Sequence, residues 1–438
     1  MIIKPAQTKS TRGKELVQQL LVRIQEADTG CSNIVREILA TVRAEGDEAL
    51  LKYIRKFDAP DFQLSQLKVT QDEFDRAHTQ VDEPFKETLS LAVERLQFFH
   101  EQQLEKSWTI TRDDGVITGR LVRPVAAAGL YVPGGQGGRT PLVSSVLMNG
   151  IPAGIAGVDR RIMVTPPNEK GEVHPALLVA ASEIGIDEVY KVGSAWAIGA
   201  LAYGTQTIPR VDVIVGPGNQ YVAEAKQQVA GIVGLDMIAG PSEVLVIADH
   251  SARPAYIAAD MLAQAEHDPQ ALAMLVTTRQ EIAEGVVSEL ERQLKELSRS
   301  DIAAEALKSR GVILIAEDTE EAIDLANEIA AEHLELMLEN SDSWLNAIKH
   351  AGAIFLGDYS PEAAGDYLAG PNHVLPTMGT ARFSSALGVE TFLKKSSIIS
   401  YSKAALLEDG PHIMALANLE GLSAHAKSVE IRMKKIED

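Results

Sequence analysis

From about residue 127 the chain alternates short, almost uninterrupted apolar runs with helix-like segments, and this alternation constrains the fold more than any other feature. AAAGLYV, RIMVT, EVYKVG and VDVIVG are separated by PALLVAASEI, AIGALAYG and NQYVAEAKQQV; further on, EVLVIAD, ALAMLVTT and GVILIA repeat the pattern with helices between them. Strands that are apolar throughout, rather than at every second residue, are buried on both faces. Strands spaced by helices pair in parallel. The expected class is therefore α/β, with two incomplete Rossmann-like parallel-sheet domains.

At 438 residues the chain exceeds a single ordinary core. We read one sheet domain over 131–241 and another resuming at 242. Before them, ELVQQLLVRI, NIVREILATVRAEG and a long segment over 84–106 have helical spacing, and Ser32 is placed to cap the second helix. The expected organisation is a helical segment over 1–27, a discontinuous first domain over 28–130 and 242–388, a second domain over 131–241, and a tail over 389–438. WTITR and VITGRLVRPV read as strands, and the polar helical tail carries a strand-like SSIISYS.

With 41 basic and 61 acidic residues the formal net charge is −20, which repels phosphate backbones and makes nucleic acid an unsuitable partner. One cysteine, Cys31, excludes an intrachain disulfide and suits a reducing compartment. The N-terminal residues lack a signal-peptide core, and no apolar run approaches the roughly 20 residues that span a bilayer. Cytoplasm is the expected location, with no membrane partner.

Seven places carry groups suited to chemistry. Gln264 and His267 lie three residues apart on one helical face, a spacing a metal site can use; the plain alternative is a helix end closed by Asp268-Pro269. Glu332-His333 joins a carboxylate and an imidazole at a helix-to-strand junction, able to activate water and take up a proton. The loop PEAAGDYLAGPNHVLPT offers Asp366 and His373, and NLEGLSAHAKSVE offers Glu420 and His425; capping and solvated-face roles are the alternatives. GLYVPGGQGG and IVGPGNQYV place Gly-rich turns after strands, where backbone amides and a helix N-terminus can receive a phosphate. LDMIAGPSEVLV is a third such turn, with Ser242 at its strand. Cys31 lies outside every such loop and is a poor nucleophile.

Taken in order, GLYVPGG, SSVLMNGIPA, VGPGNQYVAEAK, LDMIAGPSEVLVIAD, QAEHDP, AEHLELM, PEAAGDYLAGPNHVLPT and EGLSAH closely resemble the histidinol dehydrogenase family over about residues 120–428. The resemblance implies oxidation of L-histidinol by NAD in two steps, through L-histidinal to L-histidine, with one zinc per site. It implies zinc ligands Gln264, His267, Asp366 and His425, and an acid/base pair of Glu332 and His333. Ser242, His333, His373 and Glu420 match substrate-contacting positions, joined by the four metal ligands. Tyr131 and Asn219 match NAD-contacting positions. It further implies a homodimer whose C-terminal tail crosses to the neighbouring subunit, bringing Glu420 and His425.

Two departures stand out. Trp196 occupies a position where the family more often has a glutamine touching NAD, and indole adds bulk while losing an acceptor. Ala331 replaces the usual proline before Glu332-His333, which loosens that turn. Rival readings are a paralogous alcohol dehydrogenase acting on another amino or sulfonated alcohol, and a non-catalytic zinc-binding protein; His373 and Glu420 favour the first-named reaction over the paralogue, and Glu332-His333 argue against the non-catalytic protein.

Overall fold

The computed structural model describes residues 2–23, 29–135, 140–238 and 240–437. The end of the expected helix 15–24, the tip of PGGQGG and Ala239 of the third turn lie outside them.

Strand β1 (Ala6–Gln7) is followed by helices α1 (Thr11–Val22), α2 (Thr29–Glu45), α3 (Asp47–Phe57), α4 (Gln71–Gln80) and α5 (Glu83–His100). Next come β2 (Trp108–Thr111), β3 (Ile117–Pro124), β4 (Ala127–Tyr131), α6 (Val143–Ala156), β5 (Arg160–Thr165), α7 (Pro175–Glu183), β6 (Glu188–Lys191), α8 (Ser194–Tyr203), β7 (Val213–Val215), α9 (Gln220–Val229) and β8 (Gly234–Leu235). The alternation continues with β9 (Glu243–Ala248), α10 (Pro254–Ala265), β10 (Leu272–Thr277), α11 (Gln280–Gln293), α12 (Ser300–Arg310), β11 (Val312–Ile315), α13 (Thr319–Ile329), β12 (His333–Met337), α14 (Ser341–Trp344), β13 (Ala353–Leu356) and α15 (Glu362–Tyr367). The chain closes with β14 (Leu393–Ser400), α16 (Lys403–Leu419) and α17 (Ser423–Glu437).

Two sheets are parallel throughout. Their orders are β1-β11-β10-β9-β12-β13 and β6-β5-β4-β7-β8. Strands β9 and β10 are buried at all six positions each, as the apolar runs over 244–248 and 272–276 require. One face of the first sheet packs Val244, Val246 and Leu275 against α10, α11 and α12; the other packs Leu245, Ile247 and Leu314 against α1 and α13. Each fully buried Val, Leu or Ile contributes about 1.5–3 kcal/mol, so a few side chains per face suffice to fix the layer order.

Helices α2 and α3, expected within 28–130 to go with the first sheet, cover the second sheet instead, whereas α1 packs on the first. Val35, Leu39 and Val42 of α2 and Leu50 and Ile54 of α3 share a core with Ile162 and Val164 of β5 and Leu201 of α8, which belongs to the second sheet. Helical periodicity marks which face of α2 is apolar but carries no information on which of two sheets that face will cover. Residues 67–69 also pair with β6 through Val69 N to Val189 O (2.9 Å) and Lys191 N to Leu67 O (2.8 Å), closing that edge. The segment 1–27 is not purely helical either, since β1 adds an edge strand to the first sheet. Ser32 lies inside α2, which begins at Thr29, so it is not the cap.

Contacts divide the chain into two compact units, Met1–Gln103 with Ala126–Phe392, and Leu104–Val125 with Leu393–Asp438. The second unit is an antiparallel sheet in the order β14-β3-β2 with α16 and α17; β14 pairs with β3 from Leu393↔Pro124 to Ser400↔Ile117. Among the described residues no helix is long and apolar enough to cross a membrane.

Candidate active site

Strands β9 and β12 are neighbours, and the chain order reverses between them, since β10 and β11 lie on one side and β13 on the other. Most open α/β sheets bind ligands at the carboxyl ends of such a strand pair. Here the acid–imidazole pair lies at the opposite, amino end. Glu332 precedes β12, His333 opens it, and both are buried. The main chain of Glu243, first residue of β9, holds them. Its N–H donates to Glu332 Oε2 (2.8 Å), and its carbonyl lies 3.0 Å from His333 Nδ1. The nearby Ser242 hydroxyl draws the Glu332 carboxyl down, against the effect of burial. Because a carbonyl only accepts, Nδ1 carries the proton and Nε2 is left as the basic nitrogen.

Glu243 is itself anchored. Its carboxylate receives Arg23 Nε (2.6 Å) and Nη2 (3.0 Å), with side-chain exposures of 5% for Arg23 and 0% for Glu243. Arg23 also donates to the carbonyls of Leu20 (2.6 Å) and Ile329 (2.8 Å). The fork ties the end of α1 and the end of α13 to the residue that holds the acid–imidazole pair.

The turn before Glu332 is tight. Ala330 adopts φ +51°, and Gly352 N donates to Ala331 O (3.0 Å), so the turn is held although position 331 is alanine. A Cβ on Gly352 would lie 2.5 Å from the Glu332 carbonyl oxygen, closer than any side chain tolerates.

Helix α10 brings Gln264 to the same edge, where it is 1% exposed, and His267 follows just beyond the helix end. Helix α15 supplies Glu362 and Asp366, one turn apart. Ligand atoms of His267, Glu362 and Asp366 all lie within 4.8 Å of one another. Glu362 Oε1 is also 3.8 Å from His333 Nδ1.

The electrostatics show an acidic cluster short of positive charge. Burial first, then Glu243 and Asp366, pushes the Glu332 carboxyl well above its usual range; burial and the neighbours Asp366, Glu335 and Glu332 do the same to Glu362. Burial raises Asp366 while His267 draws it down. His333 is lowered to about 4, by burial and then by His373 and His267, and burial lowers His373 to about 4. Among the described residues His373 Nε2 is enclosed without a hydrogen-bond partner, an unused polar group beside the pair. Imidazole, amide and carboxylate groups crowded at one edge suit a divalent cation such as zinc; the donor atoms of His267, Glu362 and Asp366 converge, with the Gln264 amide beside Glu362.

The second sheet reverses order between β4 and β7, and the two residues expected to meet NAD, Tyr131 and Asn219, lie at the carboxyl ends of that pair. Tyr131 closes β4 and is 4% exposed. Its hydroxyl accepts from Ser194 N at the start of α8 (3.1 Å), and burial pushes its pKa up to about 12. Asn219 caps α9 by accepting from Tyr221 N (3.1 Å) and Val222 N (3.2 Å), so its amide nitrogen is the end left for a ligand. Gly216, at φ +112°, would put a Cβ 2.1 Å from the Tyr131 carbonyl oxygen. The loop between β7 and α9 therefore lies directly on the end of β4. Trp196 is 6% exposed and stacks on Tyr53 (5.3 Å between ring centroids) and Phe57 (5.5 Å). It packs from α8 against α3, and its indole nitrogen has no partner among the described residues. Cys31 is buried in the same core.

The structure thus gathers Gln264, His267, Glu332, His333, Ser242 and Asp366 at one sheet edge and Tyr131 and Asn219 at another. Glu420, capping the end of α16, and His425, in α17, belong to the second unit, and both are exposed. Sequence reading passed over Glu362, whose signal was its spacing of four from Asp366. It also passed over Arg23 and Glu243, for which no local signal exists, since they are 220 positions apart.

A loop laid on a strand's carboxyl end in one parallel sheet, and a buried acid–imidazole pair beside clustered potential metal donors in the other, are the marks of an α/β enzyme. The family model described as histidinol dehydrogenase matches residues 21–433. The chain is 64% identical over 434 residues to a histidinol dehydrogenase of Desulfotalea psychrophila, covering 99% of this chain and 100% of that one. It is 50% identical over 417 residues to one of Oleidesulfovibrio alaskensis, covering 95% and 96%. The crystal structure of histidinol dehydrogenase from Elizabethkingia anophelis superposes with a TM-score of 0.92 at 38% identity, covering 100% of this chain and 99% of that one. The chain belongs to the histidinol dehydrogenase family.

Proposed function

We propose that the chain oxidises L-histidinol to L-histidine with two molecules of NAD, the closing step of histidine biosynthesis, and that Glu332 and His333 move the protons. The observation that carries this is the opposed pair of hydrogen bonds at Glu243, whose N–H faces Glu332 and whose carbonyl faces His333. Gln264, His267 and Asp366 would hold zinc, with His425 as the fourth ligand. When bound, the ion supplies a positive charge that anchors the neutral imidazole and amine nitrogens of the substrate.

In the first half, His333 Nε2 takes the hydroxyl proton while the carbon-bound hydrogen leaves as hydride to NAD at the β4/β7 crevice. Tyr131 and Asn219 bound that crevice. In the second half, Glu332 takes a proton from water as the water oxygen bonds to the aldehyde carbon, and the resulting hydrate gives up its hydride to a second NAD. Ser242 orients the Glu332 carboxylate, and His373 and Glu420 contact the substrate. Enclosure of Glu332 and His333 keeps the aldehyde away from bulk amines and water.

Glu332→Gln separates the halves. Loss of a general base lowers rate about 10²–10⁴-fold. The variant is expected to lose that factor on L-histidinal while retaining histidinol-to-aldehyde oxidation; an unchanged histidinal rate removes Glu332 from the role.

We further infer a homodimer in which the tail completes the partner's site. The tail carries Leu416, Leu419 and Leu422 at 64%, 85% and 42% exposure, apolar surface that a second subunit would cover. Co-expression of Gln264→Ala and His425→Asn chains tests this: hybrid dimers are expected to recover activity that neither homodimer has, and recovery absent from verified hybrids rejects the shared site.

A further inference from the structure

Gln264 presents an unusual problem. An amide has two ends of nearly equal size, and only its oxygen can ligate a cation. Nothing in the covalent structure decides which end faces the metal. The surroundings do. With Nε2 turned toward α15, the nitrogen lies 3.2 Å from each carboxylate oxygen of Glu362 and 3.2 Å from the Glu243 carbonyl oxygen. With Glu362 ionised, as a bound cation beside it favours, the reverse orientation would set Oε1 against three acceptor oxygens. Gln264 is 1% exposed, so water cannot relieve that conflict.

Glu362 is suited to such a task. It is 2% exposed, and its position is fixed by its own main chain, whose N–H donates to Glu335 Oε1 (3.1 Å). It opens α15, the helix that also carries Asp366, so one short element presents a metal donor and the acceptor for a second donor's idle end.

We propose that Glu362 is a positioning residue that holds the Gln264 amide with its oxygen toward the metal. This rests on the ligand reading given above. Glu362 acts through Gln264 and is not itself a ligand. A glutamine at position 362 can meet either end of the Gln264 amide and so removes the preference.

The test is a double-mutant cycle read as zinc affinity, by competition with a chromogenic chelator, on the full-length dimer. The four forms are parent, Glu362→Gln, Gln264→Ala and the double variant. Outer hydrogen-bond partners of metal ligands are typically worth about 10–100-fold in affinity. Glu362→Gln is expected to raise the zinc Kd about tenfold or more in the parent background. In the Gln264→Ala background it is expected to change Kd less than about threefold, because nothing remains to orient. The Co²⁺-substituted Glu362→Gln protein should keep one ion per subunit.

An unchanged Kd for Glu362→Gln overturns the proposal. The full effect in the Gln264→Ala background also overturns it, and makes Glu362 a ligand. If Gln264→Ala and His267→Ala both leave zinc affinity unchanged, the ligand reading fails instead. Should Glu362→Gln not fold, Glu362→Asp, one methylene too short to reach the amide, enters the same cycle with the same expectations.

Discussion

The two parallel sheets use opposite ends. On the second sheet the residues proposed to meet NAD, Tyr131 and Asn219, lie at the carboxyl ends of β4 and β7, where Gly216 lets a loop touch the Tyr131 carbonyl. On the first, the acid–imidazole pair gathers at the amino ends of β9 and β12. The carboxyl ends of that strand pair are closed by local bonds: Asp249 accepts from Ser251 N (2.8 Å) and Glu339 N (3.0 Å). The difference follows from what each edge offers. A carboxyl edge followed by helix N-termini offers N–H groups to a phosphate. The amino edge offers a strand's first N–H and carbonyl together, and Glu243 uses one for a carboxylate and the other for an imidazole.

The comparison breaks most severely at Arg23. Removing one partner of a buried ion pair costs about 3–5 kcal/mol. Arg23→Met is expected to lower unfolding free energy by that amount, measured by denaturant titration, and to weaken zinc binding while the NAD dissociation constant stays near the parent value. Equal damage to NAD binding would show that the two edges are not independent.

The two crowded glycines sharpen the contrast with a smaller effect, since a forced Cβ costs about 1–3 kcal/mol. Gly216→Ala should raise the NAD dissociation constant and spare zinc affinity. Gly352→Ala, pressing on the Glu332 carbonyl, should lower kcat for histidinal and spare NAD binding. Reversal of that pattern would put the site assignment to the two edges in error.

The class of fold was legible because burial on both faces writes itself into β9 and β10 as unbroken apolar runs. The pairs Gln264/His267 and Glu332-His333 were legible because their members are close in sequence. What covers each sheet was not. The apolar faces of α2 and α3 would serve either sheet, and only packing against Ile162 and Leu201 decides. Glu362 was hidden for another reason: a carboxylate opening a helix looks like an ordinary charge complement to the helix dipole, and only the fold shows it buried against Gln264.

A last effect appears only on acidification. His373 is held near a pKa of about 4 when folded, against an ordinary 6.5. Between those values the unfolded chain binds a proton that the folded chain refuses, so this group's stability is present above about pH 6.5 and is lost as pH falls to about 4. The linked free energy is about 3 kcal/mol. His373→Asn lacks the group, so the metal-free parent should lose about 3 kcal/mol relative to the variant between pH 7 and pH 4 in urea unfolding. A constant difference between the two would mean that His373 is not enclosed.

The central claim is that one site carries an alcohol through two oxidations beside a metal at the amino edge of the first sheet. NADH formed per L-histidinol consumed, with and without a chelator, addresses it directly. Two NADH per histidinol, abolished by chelation and restored by zinc, is the predicted result; a single NADH with aldehyde released, or a yield indifferent to the chelator, would contradict it.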